Sequence, residues 1–248
     1  MSESTLWRCT FSGVRGSQVS QEMLDECAQL FSANYGVWSP DVSAPLKPGE
    51  FTAPMTPAKL RSECFTDPDA TFLALCRIGS DIVGYAFATV WEYEVGKNIC
   101  WITQLVVSSQ YRRQNIATLL LTPVPPIPCH AFGIASSHPG AVAALTSAVG
   151  ICPLRKVDLN FIRDTASRIL ATTPVPYLRA AQSRGLRGAL FGNNKADGGV
   201  CSIFTDFFVD HEEPRAALEI WENVQDMKWP LGKLAAGHEY LCIVPVQT

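Results

Sequence analysis

The chain has 248 residues, 47% of them hydrophobic and 17% charged, with a net charge of −3. That length suits one large domain or two small ones, and the composition buries a sizeable core and excludes a disordered chain. The mildly acidic balance excludes a general electrostatic footprint for nucleic acid. Nine cysteines are scattered without a Cys-x-x-Cys pair, and four histidines show no ligand spacing, so neither a disulfide framework nor a metal centre is expected. No apolar signal core opens the sequence, and no apolar run reaches the length of a membrane span. A soluble, cytoplasmic protein with no membrane or nucleic-acid partner is expected.

In chain order, residues 6–12 read as a first strand. Ser20 then caps a helix with apolar positions at Met23, Leu24, Cys27, Leu30 and Phe31, ended by Gly36. An aromatic stretch with Tyr35 and Trp38 leads into a Pro-rich loop to residue 57, where Thr56-Pro57 opens a short helix. Residues 71–78 and 82–95 read as strands joined by a hairpin at Gly79-Ser80-Asp81. A second turn, at Gly96-Lys97 or Lys97-Asn98, leads into an apolar run at residues 102–107, a buried strand. With Gly96-Lys97 as the loop, Val95 pairs with Asn98 and Glu92 with Trp101, which puts Glu92 and Trp101 on one face. A slip of one residue would reverse that face.

After Val107 comes a polar turn, then Arg112-Arg113-Gln114-Asn115-Ile116-Ala117-Thr118, then an apolar helical start. A basic turn between a strand and a helix N-terminus is an anion site, because the first-turn N–H groups point outward and the helix dipole favours negative charge. Pro123, Pro125, Pro126 and Pro128 stop this helix within about two turns. Residues 131–135 form the next strand, and Ser136-Ser137-His138-Pro139 starts another helix, with Ser137 or His138 as its cap. Residues 157–171 and 174–184 are helical stretches, followed by a Gly/Asn-rich loop at 192–199. Residues 201–209 read as a strand, 213–227 as a helix and 240–246 as the closing strand.

Arg112-x-x-Asn115-x-Ala117, with Leu105-Val106-Val107 and Tyr111 before it, resembles the Arg/Gln-x-x-Gly-x-Gly/Ala signature of the GNAT acyltransferase superfamily. The chain departs from it at Asn115, where the family usually has Gly; Asn is the residue other than Gly that best tolerates a left-handed conformation. The resemblance covers residues 70–150 well and 200–248 loosely. It implies an α/β fold of mixed α+β type: a central, mostly antiparallel sheet with one parallel strand pair, flanked by helices, in one domain spanning 1–248 with residues 151–200 as an insertion over the acceptor site. It also implies acetyl-coenzyme A, or another acyl-coenzyme A, as co-substrate. Leu105, Val106 and Val107 would lie along the pantetheine arm, and Arg112, Arg113, Gln114, Asn115, Ile116, Ala117 and Thr118 would hold the pyrophosphate. Tyr35, Trp38 and Trp101 would line a pocket for a small amine acceptor.

The implied activity is acyl-coenzyme A-dependent N-acyl transfer. Such a reaction needs a held coenzyme, a donor for the thioester oxygen and a group that takes the amine's proton. The third is poorly supplied. Trp101 stands where many members carry Glu, and Leu145 where many carry Tyr, while His138 replaces the Asn of an Asn-Pro-x-Ala pattern. Glu92 and His138 are the remaining candidate catalytic groups, ahead of Asp210, His211 and Asp206. Two rival readings follow: a fold that binds acyl-coenzyme A without transferring the acyl group, and a scaffold running other chemistry on a bound metabolite.

Overall fold

A computed structural model describes residues 5–34, 38–39, 55–122, 127–150, 154, 157–192 and 198–246 of the chain. Its strands are β1 (Cys9–Arg15), β2 (Thr71–Ile78), β3 (Asp81–Glu94), β4 (Lys97–Val107), β5 (Ala131–Ser136), β6 (Leu186–Arg187), β7 (Ser202–Phe204) and β8 (His238–Pro245). The helices are α1 (Gln21–Asn34), α2 (Pro57–Cys64), α3 (Ile116–Leu121), α4 (Pro139–Ala148), α5 (Leu159–Thr172), α6 (Pro176–Gln182) and α7 (Glu212–Gln225). The strands form one sheet in the order β1-β2-β3-β4-β5-β8-β7-β6. Every neighbouring pair is antiparallel except β4 and β5, which run parallel. This is the mixed fold class that the sequence predicts.

Each face of the sheet carries a core. On one side α1 and α2 pack on Leu73, Leu75, Tyr85, Phe87 and Val106. On the other, α3 and α4 pack on Phe72, Ala74, Ala86, Ala88 and Ile102 as part of a larger cluster that also takes in α5 and β8. The caps form as the sequence indicates. The Met23 amide donates to Ser20 Oγ at 3.2 Å, the Lys59 amide to Thr56 Oγ1 at 3.1 Å, and the Gly140 amide to His138 Nδ1 at 3.0 Å. Although α3 is only six residues long, Ile116, Leu120 and Leu121 are all buried. Gly84 makes that seat possible: a Cβ there would meet Leu120 Cδ1 at 3.1 Å and Ile116 Cγ2 at 3.2 Å. The short helix therefore packs fully against β3.

Three expectations are corrected. Residues Thr5–Arg8 form a 3-10 turn, and the first strand starts at Cys9. The strand expected over 201–209 stops at Phe204, because Asp206 takes a positive φ of 63° and turns the chain away; Val209 makes only an isolated bridge, to Trp38. The third correction concerns the β3–β4 register. Glu94 pairs with Lys97, so the loop is Val95-Gly96, with Gly96 at φ 73°. An irregularity at Tyr93 then shifts the pairing again, and Glu92 lies across from Asn98. The residue facing Trp101 is Thr89. Glu92 is exposed and does not lie beside Trp101.

Among the described residues, no helix is long and apolar enough to cross a membrane.

Candidate functional site

The sheet opens where its two parallel strands part. The β4–β5 pairing runs from Ile99↔Ala131 to Ile102↔Ile134. Beyond that point β4 stays with β3, as Gln104 to Val107 pair with Phe87 to Gly84. β5 instead follows β8, as Ala135 pairs with Leu241 and Ser136 with Tyr240. The facing edges of residues 103–107 and 135–137 therefore border a gap, and a parted edge is a template for an extended ligand. Leu105 and Val107 are half-buried along it, while Val106 is buried toward α1.

The basic turn follows at the end of β4. Arg113 and Asn115 both take positive φ, 62° and 65°, and Asn115 is left-handed at ψ 7°. Backbone N–H groups of residues alternating in this way converge into an anion-binding concavity. Asn115 thus takes the conformation that Gly gives elsewhere, and α3 starts directly after it, with the Leu119 amide donating to the Asn115 carbonyl at 3.1 Å. Replacing Asn115 with Ala should cost about 1 kcal/mol, and replacing it with Gly should cost nothing measurable, in urea unfolding. Equal stability of the Ala and Gly variants would contradict the left-handed turn.

The two arginines have different surroundings. Arg113 is exposed. Arg112 is held on three sides: its Nη1 donates to Glu213 Oε1 of α7, its Nη2 to the Asn34 carbonyl at 2.6 Å, and its Nε to the Val107 carbonyl at 3.3 Å. It ties the end of α1, the end of β4 and the start of α7 together. Gln114 reaches back to the Gln110 carbonyl at 3.4 Å, and Ala117 and Thr118 are half-buried in α3 behind buried Ile116.

His138 borders this cluster, with Nε2 4.0 Å from Glu213 Oε1. Burial lowers its pKa, Glu213 opposes that shift and Arg112 adds to it. The neutral ring has a single acceptor nitrogen. Here that nitrogen is Nδ1, which takes the Gly140 amide and caps α4. The lone pair that would make His138 a base is already used.

The other predicted site residues lie apart. Trp101 is fully buried on Gly133, its Nε1 donating to the Tyr177 hydroxyl of α6 at 2.7 Å, and its ring is tilted against Trp91. It is a core residue under the α5–α6 segment, not an open pocket wall. Leu145 is fully buried as well. Trp38 packs edge-on against Phe207 and bridges Val209. Tyr35 lies outside the described residues. Asp210 Oδ1 accepts the Glu212 amide at 2.8 Å, and Asp206 pairs with Arg184 at 2.9 Å. His211 precedes α7 with a buried Nε2 that has no partner among the described residues. Two surface grooves, of about 630 Å³ beside α1 and about 670 Å³ between α5, α6 and β6, lie away from the parted strands.

The sequence reading missed one group. Glu239, the second residue of β8 after His238, is 6% exposed at the head of an apolar run. Since Ala135 pairs with Leu241, Glu239 falls across from Ser137, and the Ser137 amide donates to its carboxylate. The Thr205 hydroxyl also acts on it, although it falls short of a well-formed hydrogen bond and has no other partner among the described residues. Burial pushes the carboxyl up to about 7, against the smaller lowering by those two donors. The expected closing strand begins at Tyr240, two residues late; an acidic residue leading an apolar run was the available signal.

Residues 24–124 match the acetyltransferase (GNAT) family. The matched segment holds most of α1, then α2, β2 to β4, the basic turn and α3. No curated protein matches the chain. Solved structures to which the chain is similar include the loading GNATL domain of CurA from Lyngbya majuscula, at 11% identity and TM-score 0.39, over 96% of this chain and 98% of that one. Diaminobutyrate acetyltransferase EctA from Paenibacillus lautus aligns at 18% identity and TM-score 0.32, over 57% of this chain and 73% of that one. An aminoglycoside acetyltransferase from an uncultured soil metagenomic sample aligns at 16% identity and TM-score 0.32, over 48% and 68%. Within the matched segment Asn115 is left-handed and Arg112 is bound to the Glu213 carboxylate.

Proposed function

We propose that the protein is an acyl-coenzyme A-dependent N-acyltransferase, with acetyl-coenzyme A as co-substrate and a small amine as acceptor. The observation that carries this reading is the parted β4–β5 pair running directly into a turn with two left-handed residues. The residues fit the coenzyme: the β4 edge from Leu105 to Val107 offers backbone groups to an extended arm, and the Arg113–Asn115 turn offers amides and an exposed guanidinium to a pyrophosphate. When bound, acetyl-coenzyme A supplies an activated acyl carbon. This chain's part is to place that carbon beside the gap, to give a β4 amide to its carbonyl oxygen as charge develops there, and to exclude water beneath the α5–α6 segment.

Acetyl-coenzyme A at about a hundred times its dissociation constant should stabilise the fold by roughly 2.7 kcal/mol, read as a rise in melting temperature. Arg113→Glu should abolish most of that rise by setting negative charge against the pyrophosphate. A flat melting temperature up to millimolar ligand would remove the reading. Release of free coenzyme A with a panel of amines tests transfer itself.

A second reading, binding without transfer, is favoured by one observation: Glu213 occupies the guanidinium of Arg112, which the GNAT signature assigns to phosphate. On either reading Glu213→Gln should tighten coenzyme binding about tenfold in calorimetry, because it frees Arg112 and removes a negative charge from the anion site. Unchanged affinity would place the phosphate away from Arg112.

A further inference from the structure

The proposed transfer leaves one chemical task without a group to perform it. The position that often carries Glu is a buried Trp, the later Tyr position is Leu145, Glu92 is exposed on the far side of a register shift, and the acceptor lone pair of His138 caps α4. The chain does bury one carboxyl on β8, the strand beyond β5, and the amide that binds it belongs to Ser137 at the gap's β5 edge. Glu239 is reached from the β5 edge through Ser137, next in sequence to His138, and Thr205 brings an otherwise unpartnered hydroxyl to it from the segment after β7.

We infer that Glu239 is the proton acceptor of the acyl transfer, the group that takes a proton from the acceptor's ammonium at the β5–β8 end of the gap. The inference rests on the proposed transferase reading and adds the residue and the protonation state of its substrate. A buried carboxylate favours a cationic partner, so the acceptor is an amine that arrives protonated. The acceptor R–NH₃⁺ gives one proton to the Glu239 carboxylate. The freed nitrogen lone pair forms the bond to the thioester carbon, and the carbon–sulfur bond breaks with its electrons passing to sulfur. A second nitrogen proton goes to the thiolate, leaving an amide and free coenzyme A. Glu239 returns its proton to water.

Several features fit a base and not a structural carboxylate. No arginine or lysine is among the groups acting on Glu239; the Ser137 amide and the Thr205 hydroxyl are. Both favour the ionised form, whereas burial favours the neutral one, and the balance lies at about 7, where a general base is most effective. The titratable groups next in sequence to Glu239 and its two partners are His138, the N-cap of α4, which faces Glu213 and Arg112; Asp206, paired with Arg184; and His238, whose ring packs edge-on against Phe204.

The test is steady-state release of coenzyme A across pH 5.5–9 with acetyl-coenzyme A and a panel of small primary amines. Glu239→Gln keeps the shape and removes the basic oxygen. It should lose at least about a hundredfold in kcat, keep the melting shift produced by acetyl-coenzyme A, and lose the rise in rate through pH 7. Thr205→Val, which removes a donor to the carboxylate and leaves Glu239 in place, should move that rise to higher pH; a residue that only holds β8 in shape would leave it where it is. A Gln variant within threefold of the parent, or a pH profile unchanged in both variants, overturns the assignment and leaves the transferase reading standing. A parent chain that binds acetyl-coenzyme A and transfers to none of the amines overturns both.

Discussion

Trp101→Ala should destabilise the fold by about 3–5 kcal/mol, the range for removing a large aromatic side chain from a core. The ring is fully buried, lies on Gly133 and stands against Trp91, and its indole N–H donates to Tyr177 at 2.7 Å. The substitution removes this contact area and leaves a cavity bounded by Gly133, which cannot fill it. A Cβ at Gly133 would come within 2.3 Å of Trp101 Cε3, so Gly133→Ala should be strongly destabilising in the parent and much less so beside Trp101→Ala. Urea unfolding of the two single variants and the double variant checks this. Additive losses would show that the ring and the glycine do not share one packing site. By the same geometry a Glu at residue 101 would point beneath the α5–α6 segment, where an unpaired charge is costly.

The second large effect is a pH dependence of stability set by Glu239. Its folded carboxyl titrates at about 7, against an ordinary value of 4.5, because burial disfavours the charged form. As pH rises past 4.5 the unfolded chain releases a proton that the folded chain retains. Stability therefore falls between about pH 4.5 and pH 7 and is flat above, where both states are ionised. The fall is on the order of 3 kcal/mol. Glu239→Gln carries no such proton, so its stability relative to the parent should rise by about that amount from pH 4.5 to pH 8. Comparing parent and variant at each pH cancels the other carboxylates. A parallel pair of curves would mean that Glu239 is solvated or already ionised in the fold.

The sequence by itself determined the strand, turn and helix start between residues 102 and 121. Its signals are local: a β-branched apolar run, a basic turn and a helix start within about twenty residues, with Asn115 meeting the left-handed requirement by its own backbone preference. Helix caps at Ser20, Thr56 and His138 were legible for the same reason, since a cap bonds residues two or three positions away. The base was not legible. Glu92 was placed beside Trp101 by counting back from a turn, and a loop at Val95-Gly96 with an irregularity at Tyr93 moved it out of reach; register depends on turn geometry and bulges, and small shifts carry a side chain to the other face. Arg112 read as a phosphate ligand, yet α7, about a hundred residues later, brings Glu213 to it. Glu239 acquires its character only when Ser137 and Thr205 arrive from other segments and close over it. Burial and cross-strand pairing are properties of distant segments meeting, so only the tertiary structure could turn that glutamate into a candidate base.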